Sequence, residues 1–220
     1  METFIAASLM AIATGSAAGL RPYFTVFFLG AAKLWVPESA PQIIDDSVQL
    51  IPDQLANPWV LAVTGLIALG EFLVDKFQFL DSAWDVLQGV LRPIFGALIG
   101  MQLGADAGTG AMITGAVLGG GSAGAVSLGK STLRAVINLL PEPFSNFLTS
   151  VGEDAAAIIL LVTAILLPVL ALILALGLVA LGIWLFVKLR RKYADAKASY
   201  AEYRERRRVH GSGPESRTIS

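Results

Sequence analysis

The chain is 220 residues long, with 55% hydrophobic residues, only 15% charged residues and a formal net charge of −1. Soluble domains carry about 25% charged residues, and here the apolar residues fall in long runs, so the composition excludes an ordinary soluble domain and indicates an integral membrane protein. The absence of cysteine excludes disulfides, thiolate metal sites and cysteine nucleophiles, and the lone histidine, His210, lies in the C-terminal tail, away from any zinc or triad chemistry.

Six apolar segments follow in chain order, which predicts an all-α membrane protein of about six transmembrane or re-entrant helices. The first covers about residues 4–34. It opens METFIAASLM, with no positive n-region and with Glu2 of the wrong sign for one, so it is read as a retained span, not a cleaved leader. Arg21 and Pro22 interrupt it. A proline inside a helix removes a hydrogen bond, and in a bilayer such a break persists only when buried in protein or lining a polar cavity. Residues 36–58 are rich in proline and acid and read as an extracytoplasmic loop. The second segment is 59–75. The third is split by Pro93 into 80–91 and the following IFGALIGMQL. The fourth, 110–129, is full of glycine, and Gly119-Gly120-Gly121 reads as a second helix break lining a site.

The fifth and sixth segments come from 155–187, which would be about 50 Å long as one helix against a hydrocarbon core of about 30 Å. Pro168 divides it. A hairpin at Pro168 puts Lys76, Arg92, Lys130, Arg134 and the tail on the cytoplasmic side and the acids of 36–58 outside, as the positive-inside rule requires. Both termini are then cytoplasmic. Six of the sixteen basic residues precede residue 188 and the other ten follow from Lys188 onward. The membrane domain is therefore 1–188, and 189–220 is a basic cytoplasmic tail, helical to about 208 and disordered beyond. Its bases attract anionic lipid and anchor the topology, and no nucleic-acid partner is expected.

The two halves, 4–104 and 105–188, echo each other. GSAAGLRP parallels GGSAGAVSLGK, and LRPIFGALI parallels LLPVLALIL, aligning Pro93 with Pro168. Three spans per half would make the repeats inverted, as in many secondary transporters. GAVSLGKS, Gly124 to Ser131, fits the pattern of a phosphate-binding loop, but it follows an apolar span where that loop needs a strand, and no strand-ending metal aspartate accompanies it. Gly15 with Gly19, Gly115 with Gly119 and Gly120 with Gly124 are spaced for close helix packing, within the chain or in a homo-oligomer.

The charges carry the strongest signal, because each ionisable group in a bilayer costs about 3 kcal/mol even on lenient insertion scales. GEFLVDKFQFLDSAWD places Glu71 four residues from Asp75 and Asp81 four from Asp85. Like charges at that spacing repel and call for a proton, a cation or a base. With Glu153 and Asp154 there are six acids, facing Arg21, Lys76, Arg92, Lys130 and Arg134. They form either a structural ion-pair network or a polar path. In the second case the breaks at Arg21-Pro22 and Gly119–Gly121 present backbone groups to it.

GLRP, EFLVDK with Asp81 after it, LRP at 91–93, GKSTLR and SVGED, in that order and spacing, resemble an uncharacterised bacterial membrane family catalogued as domain of unknown function 4126. The resemblance covers about residues 10–170. It implies a polytopic protein of the bacterial cytoplasmic membrane whose recurring polar residues match Arg21, Glu71, Asp75, Lys76, Asp81, Arg92, Lys130, Arg134, Glu153 and Asp154, and it implies no activity.

The residues themselves favour a transporter or channel-like protein that moves a small ion or solute, with the two halves meeting near the midplane. The alternatives are a lipid-carrier or lipid-phosphate translocase and a non-transporting scaffold or assembly factor. A lateral opening beside Arg21 or Arg92 would favour the lipid carrier over an axial path. No nucleophile–base pair is readable, so catalysis is not indicated, and no cofactor or metal is expected. The expected partners are membrane lipid and an ion, solute or lipid headgroup.

Overall fold

A computed structural model of the chain describes residues 1–37, 39–74, 78–137 and 143–211, and the side chains of all of these except 78–86, 136–137, 143–146, 193 and 195–211. Among the described residues all regular structure is helical. The helices are α1 (Glu2–Leu20), α2 (Pro22–Trp35), α3 (Gln42–Gln49), α4 (Pro58–Val74), α5 (Gln78–Leu103), α6 (Thr109–Ile137), α7 (Pro143–Leu166) and α8 (Pro168–Gly211). Short 3-10 turns occupy Asp53–Ala56 and Ala105–Ala107. Four helices, 2–20, 109–135, 147–166 and 168–192, are long and apolar enough to cross a bilayer, and 58–74 and 87–103 are shorter apolar helices. The chain is an integral membrane protein.

Proline starts four of these helices. Pro22, Pro58, Pro143 and Pro168 are each the first residue of their helix, where a missing N–H forfeits no bond and the fixed φ suits the first turn. At Arg21 a single residue leaves helical geometry, with φ −142° and ψ 81°. Its N–H still donates to the Ala17 carbonyl (2.8 Å) and its carbonyl accepts from Thr25 N–H (2.9 Å). Arg21 is thus the end of α1 and the start of α2 at once. Leu167 repeats the device before Pro168: its N–H donates to Thr163 (2.8 Å) and its carbonyl accepts from Ala171 (3.0 Å).

Both joints reverse the chain. Continued straight, the helix would carry Lys33 about 18 Å beyond Arg21. Instead Lys33 Nζ donates to the Val48 carbonyl (3.4 Å) and pairs with Asp53 (3.2 Å), and Leu29, Val48, Ile51 and Met10 share one buried cluster. α2 therefore runs back alongside α1. Similarly Ala164 and Ala171 pack together against Ala13, while Glu153 and Leu185 meet at the far end of the same helix pair. α7 and α8 form the hairpin expected at Pro168. The first apolar segment, expected as one interrupted span, is two antiparallel helices. That extra leg changes the parity of the chain. Met1 lies at the end holding α3 and the 36–57 connection, whereas α8 leaves the bundle at the opposite end, so the termini do not share a side of the bundle.

α1 is the central post. Ala11, Ala13, Ala17 and Ala18 are fully buried, and α5, α6, α7 and α8 all pack on it. Small residues let the backbones close. A methyl on Gly15 would strike the Gly119 carbonyl, one on Gly19 would lie 2.6 Å from the Ala123 carbonyl, and Gly100 and Gly115 face each other backbone to backbone. A methyl on Gly120 would lie 3.0 Å from the Ala97 Cβ, one on Gly124 would be in ordinary contact with Pro93 (3.7 Å), and one on Gly121 would face open space. All of these contacts are within the chain.

Three expected features differ. α6 passes through Gly119, Gly120 and Gly121 without a break; Gly119 and Gly120 relieve crowding against α5, not strain in their own helix. α5 likewise continues through Pro93; its apolar neighbours suffice to hold the helix together around the lost bond. Residues 124–131 are helical, in keeping with the reading that GAVSLGKS is no phosphate loop. The motif pairs behind the repeat also part company. Gly15 and Gly19 of α1 lie beside Gly119 and Ala123 of α6 with the helices running the same way, and Pro93 sits inside a helix where Pro168 begins one.

Candidate functional site

Ending α1 at Leu20 leaves carbonyls without helical donors, and Pro22 has no N–H to offer them. Lys130 of α6 supplies one: its ammonium donates to the Leu20 carbonyl at 3.2 Å. A cation at a helix C-terminus is favourable for the dipole as well. The same ammonium pairs with Glu153 of α7 (3.1 Å). Arg134, one turn along α6, grips Glu153 through both oxygens, Nη2 to Oε2 at 2.8 Å and Nε to Oε1 at 3.3 Å. Glu153 is thus clamped by two cations, and all three residues are buried.

The next residue of α7, Asp154, turns to another neighbour. Its Oδ1 lies 2.6 Å from Arg21 Nη2, which also donates to Ser150 Oγ at 3.4 Å. The Arg21 side chain is 4% exposed and that of Asp154 is 19% exposed. Arg92 of α5 is fully buried and donates to Ser127 Oγ of α6 (3.5 Å). Glu71, near the end of α4, and Gln88, one turn before Arg92, are buried too.

The structure brings Arg21, Lys130, Arg134, Glu153 and Asp154 into one cluster, with Pro22 at its edge and Arg92 beside Ser127. Asp75 and Lys76 lie outside the described residues, as do the side chains of Asp81 and Asp85. Arg21 was expected to answer the acids of GEFLVDKFQFLDSAWD; its described contacts include Asp154 and Ser150 of α7. Ser127, Ser150, Gln88 and the Leu20 carbonyl were not anticipated. Ser150 was within reach of sequence reasoning, being three and four residues before Glu153 and Asp154 and so on their helix face.

The cluster sits level with the last apolar turns of α8. From Pro168 to Lys188, α8 rises about 30 Å, a full hydrocarbon core. Lys188 stands over the Trp184 ring at 4.3 Å, a pairing suited to the interface. Lys130 and Glu153 share a cavity of about 260 Å³ with Gly182 and Leu185, one to two turns inside Lys188. The cluster thus lies at the end of α1, one to two turns before the basic exit of α8.

Beside Arg21 opens a second, larger cavity of about 570 Å³, between α2, α4 and α7. Phe24, Phe27, Leu66 and Phe72 contribute to its walls, and Arg21 and Asp154 close one end. α4 packs chiefly on α2, through Gly65 against the Phe27 ring, which leaves the groove open sideways. Among the described residues no three metal-ligating side chains come together.

A family model described as a domain of unknown function, DUF4126, matches residues 8–188. The chain belongs to that family. No curated protein and no solved structure matches it.

Proposed function

We propose that this member of the family handles a lipid-type amphiphile, with the chain in the α2–α4–α7 groove and the headgroup beside Arg21 and Asp154. The observation that carries this is the fit of the groove to one leaflet. Its α4 wall runs from Leu61 to Phe72, about 16 Å of helix, half of a hydrocarbon core of about 30 Å. Its charged end is at headgroup level, its walls are apolar, and its volume falls in the range of small-molecule sites. Ion or solute transport draws less support, because Glu153 is closed by Lys130 and Arg134 and the larger opening is lateral and apolar.

Azidophenylalanine in place of Phe27, which is half-buried in the groove wall, tests the proposal. The comparison is Val117, 67% exposed on α6. On irradiation in lipid vesicles, the less exposed position 27 is expected to give several-fold more phospholipid adduct than position 117. Equal or lower labelling at 27 would remove the basis for a lipid site. A proton or cation flux in the same vesicles that Arg21→Ala abolishes would replace the proposal with ion transport.

The positive-inside rule sets the orientation. Asp45, Asp46, Asp53 and Asp106 belong to the end holding Met1, while Lys188, Arg190, Arg191 and Lys192 leave at the cluster end, which makes the cluster end cytoplasmic and the groove part of the inner leaflet. The chain has no cysteine, so single replacements report directly. Glu2→Cys is expected to label with an impermeant maleimide from outside, and Ala194→Cys only after the membrane is opened. Labelling of both from one side would refute the reversal at Arg21.

A further inference from the structure

We infer that α6 and α8 form a second lipid site, distinct from the groove proposed above, which takes a phospholipid of net negative charge. Its phosphate binds Arg190 and the hydroxyls of Ser131 and Thr132, and its acyl chain lies along Leu128 and Phe186.

The site begins with the spacing of α6. Lys130 turns into the protein, to the Leu20 carbonyl and Glu153. Ser131 and Thr132 follow about 100° and 200° further round the helix and line a cavity between α6 and α8, with Leu128 one turn before them. The stretch Gly129-Lys130-Ser131-Thr132 thus sends its lysine inward and its two hydroxyls toward α8.

The cavity exists because two parallel helices touch and then part. Gly129 and Gly182 meet backbone to backbone, and a methyl on Gly182 would lie 2.8 Å from the Ala125 carbonyl oxygen. One turn further along, α8 carries Phe186 and then Arg190, and helix separation follows the size of the side chains at the contact. The wedge that opens has a volume of about 360 Å³. Leu128 is 52% exposed and Phe186 36% exposed, so the apolar part of the wedge is open to the surrounding lipid.

The lining selects the occupant. Among its described residues Arg190 carries the charge and none is an acid. Arg190 is exposed and belongs to the basic run of Lys188, Arg190, Arg191 and Lys192 that ends the apolar part of α8. Such a run lies among lipid headgroups. A guanidinium offers a fork of donors matched to two phosphate oxygens, and serine and threonine hydroxyls can donate to a third. The apolar wall of Leu128 and Phe186 suits an acyl chain and gives a free anion nothing. A zwitterionic headgroup brings the same phosphate, but leaves its ammonium beside Arg190, Arg191 and Lys192 with no acid in the described lining to receive it. A net anionic headgroup has no such remainder.

The experiment uses the full chain with azidophenylalanine at position 186, in vesicles of phosphatidylglycerol and phosphatidylcholine with identical chains. The phosphatidylglycerol share of the adduct, divided by its share of the vesicle, reports selection at this site. About fivefold enrichment is expected, the scale of one basic residue at an anionic membrane surface. Arg190→Gln is expected to bring the ratio close to that of the bulk lipid. Arg191→Gln removes the same charge from outside the cavity lining and is expected to keep most of the enrichment. Ser131→Ala with Thr132→Val is expected to lower it about two- to threefold; an unchanged ratio there would overturn the role of the hydroxyls. No enrichment in the wild type would overturn the inference. Equal losses in Arg190→Gln and Arg191→Gln would overturn it in favour of the diffuse charge of the tail. Enrichment abolished by inorganic phosphate, but not by sodium chloride of equal ionic strength, would overturn it in favour of a free-anion site. Labelling at position 27 reports the α2–α4–α7 groove alone, so failure of one site is distinguishable from failure of the other.

Discussion

Glu153→Ala is expected to destabilise the protein by about 3–5 kcal/mol, the cost of removing one member of a buried ionic group. Glu153 is 7% exposed and is the described acid shared by Lys130 and Arg134. Its removal leaves two buried cations side by side on one face of α6, one turn apart. Unfolding in detergent, followed by circular dichroism, measures the loss. Lys130→Met is expected to be milder, because the two-point contact between Arg134 and Glu153 survives; its chief cost is the Leu20 carbonyl left without its donor. Replacing Lys130, Arg134 and Glu153 together by apolar residues of similar size is expected to recover most of the stability, as it does for other buried ionic triads. If Glu153→Ala stays within about 1 kcal/mol of wild type, water reaches the cluster and the three residues are not a sealed network.

The second large effect is at the α5–α6 contact. A methyl on Gly115 would run into the Gly100 carbonyl, with that residue's carbonyl carbon at 2.8 Å. Backbone cannot swing away as a side chain can, so the helices must separate. Overpacking of a core costs about 1–3 kcal/mol and sometimes more, and Gly115→Ala is expected at or above the top of that range. Gly121→Ala is the matched control. It lies on the same helix, faces open space, and gains the higher helix propensity of alanine, worth up to about 1 kcal/mol. Melting temperatures of the two variants in the same detergent are expected to fall on opposite sides of wild type. A Gly115→Ala protein as stable as Gly121→Ala would mean that α5 and α6 are not in backbone contact.

The helical class, the hairpin at Pro168 and the glycine spacing were legible in the sequence because they rest on local rules: run length, charge bias and i, i+4 geometry. The reversal at Arg21 was not. Arg-Pro announces a break, but a break says nothing about whether the chain goes on or turns back. Lys33, Val48 and Asp53 decide that, and their contacts are tertiary. Pro93 and Pro168 looked equivalent for the same reason. One keeps its helix because its neighbours pack around it, and the other opens a helix after a non-helical residue.

The ion pairs were half legible. That buried charges must be compensated follows from the cost of desolvation, and the acids and bases of the cluster were all identifiable. Their matching was not. Arg21 is far from Asp154 in sequence, and nothing along the chain announces that contact. The packing of α7 against α1 and α2 brings the two together. Placement at the end of α1 was equally invisible, because it depends on where α1 stops relative to α8.

The central position of α1 has a consequence for the order of assembly. It is made first, yet the helices that cover it, α5 to α8, come from the later part of the chain. At a synthesis rate of about 5–20 residues per second, Asp154 follows Arg21 by roughly 7 to 27 s. Throughout that interval the small-residue faces of α1 meet lipid or the insertion machinery, and Arg21 must reach the interface for its charge to stay hydrated. The short reversal into α2 stops α1 there, so that the arginine stays at the end of the span while α7 is still to come. The joint that shapes the finished site is then also what makes the unfinished chain tolerable to the membrane.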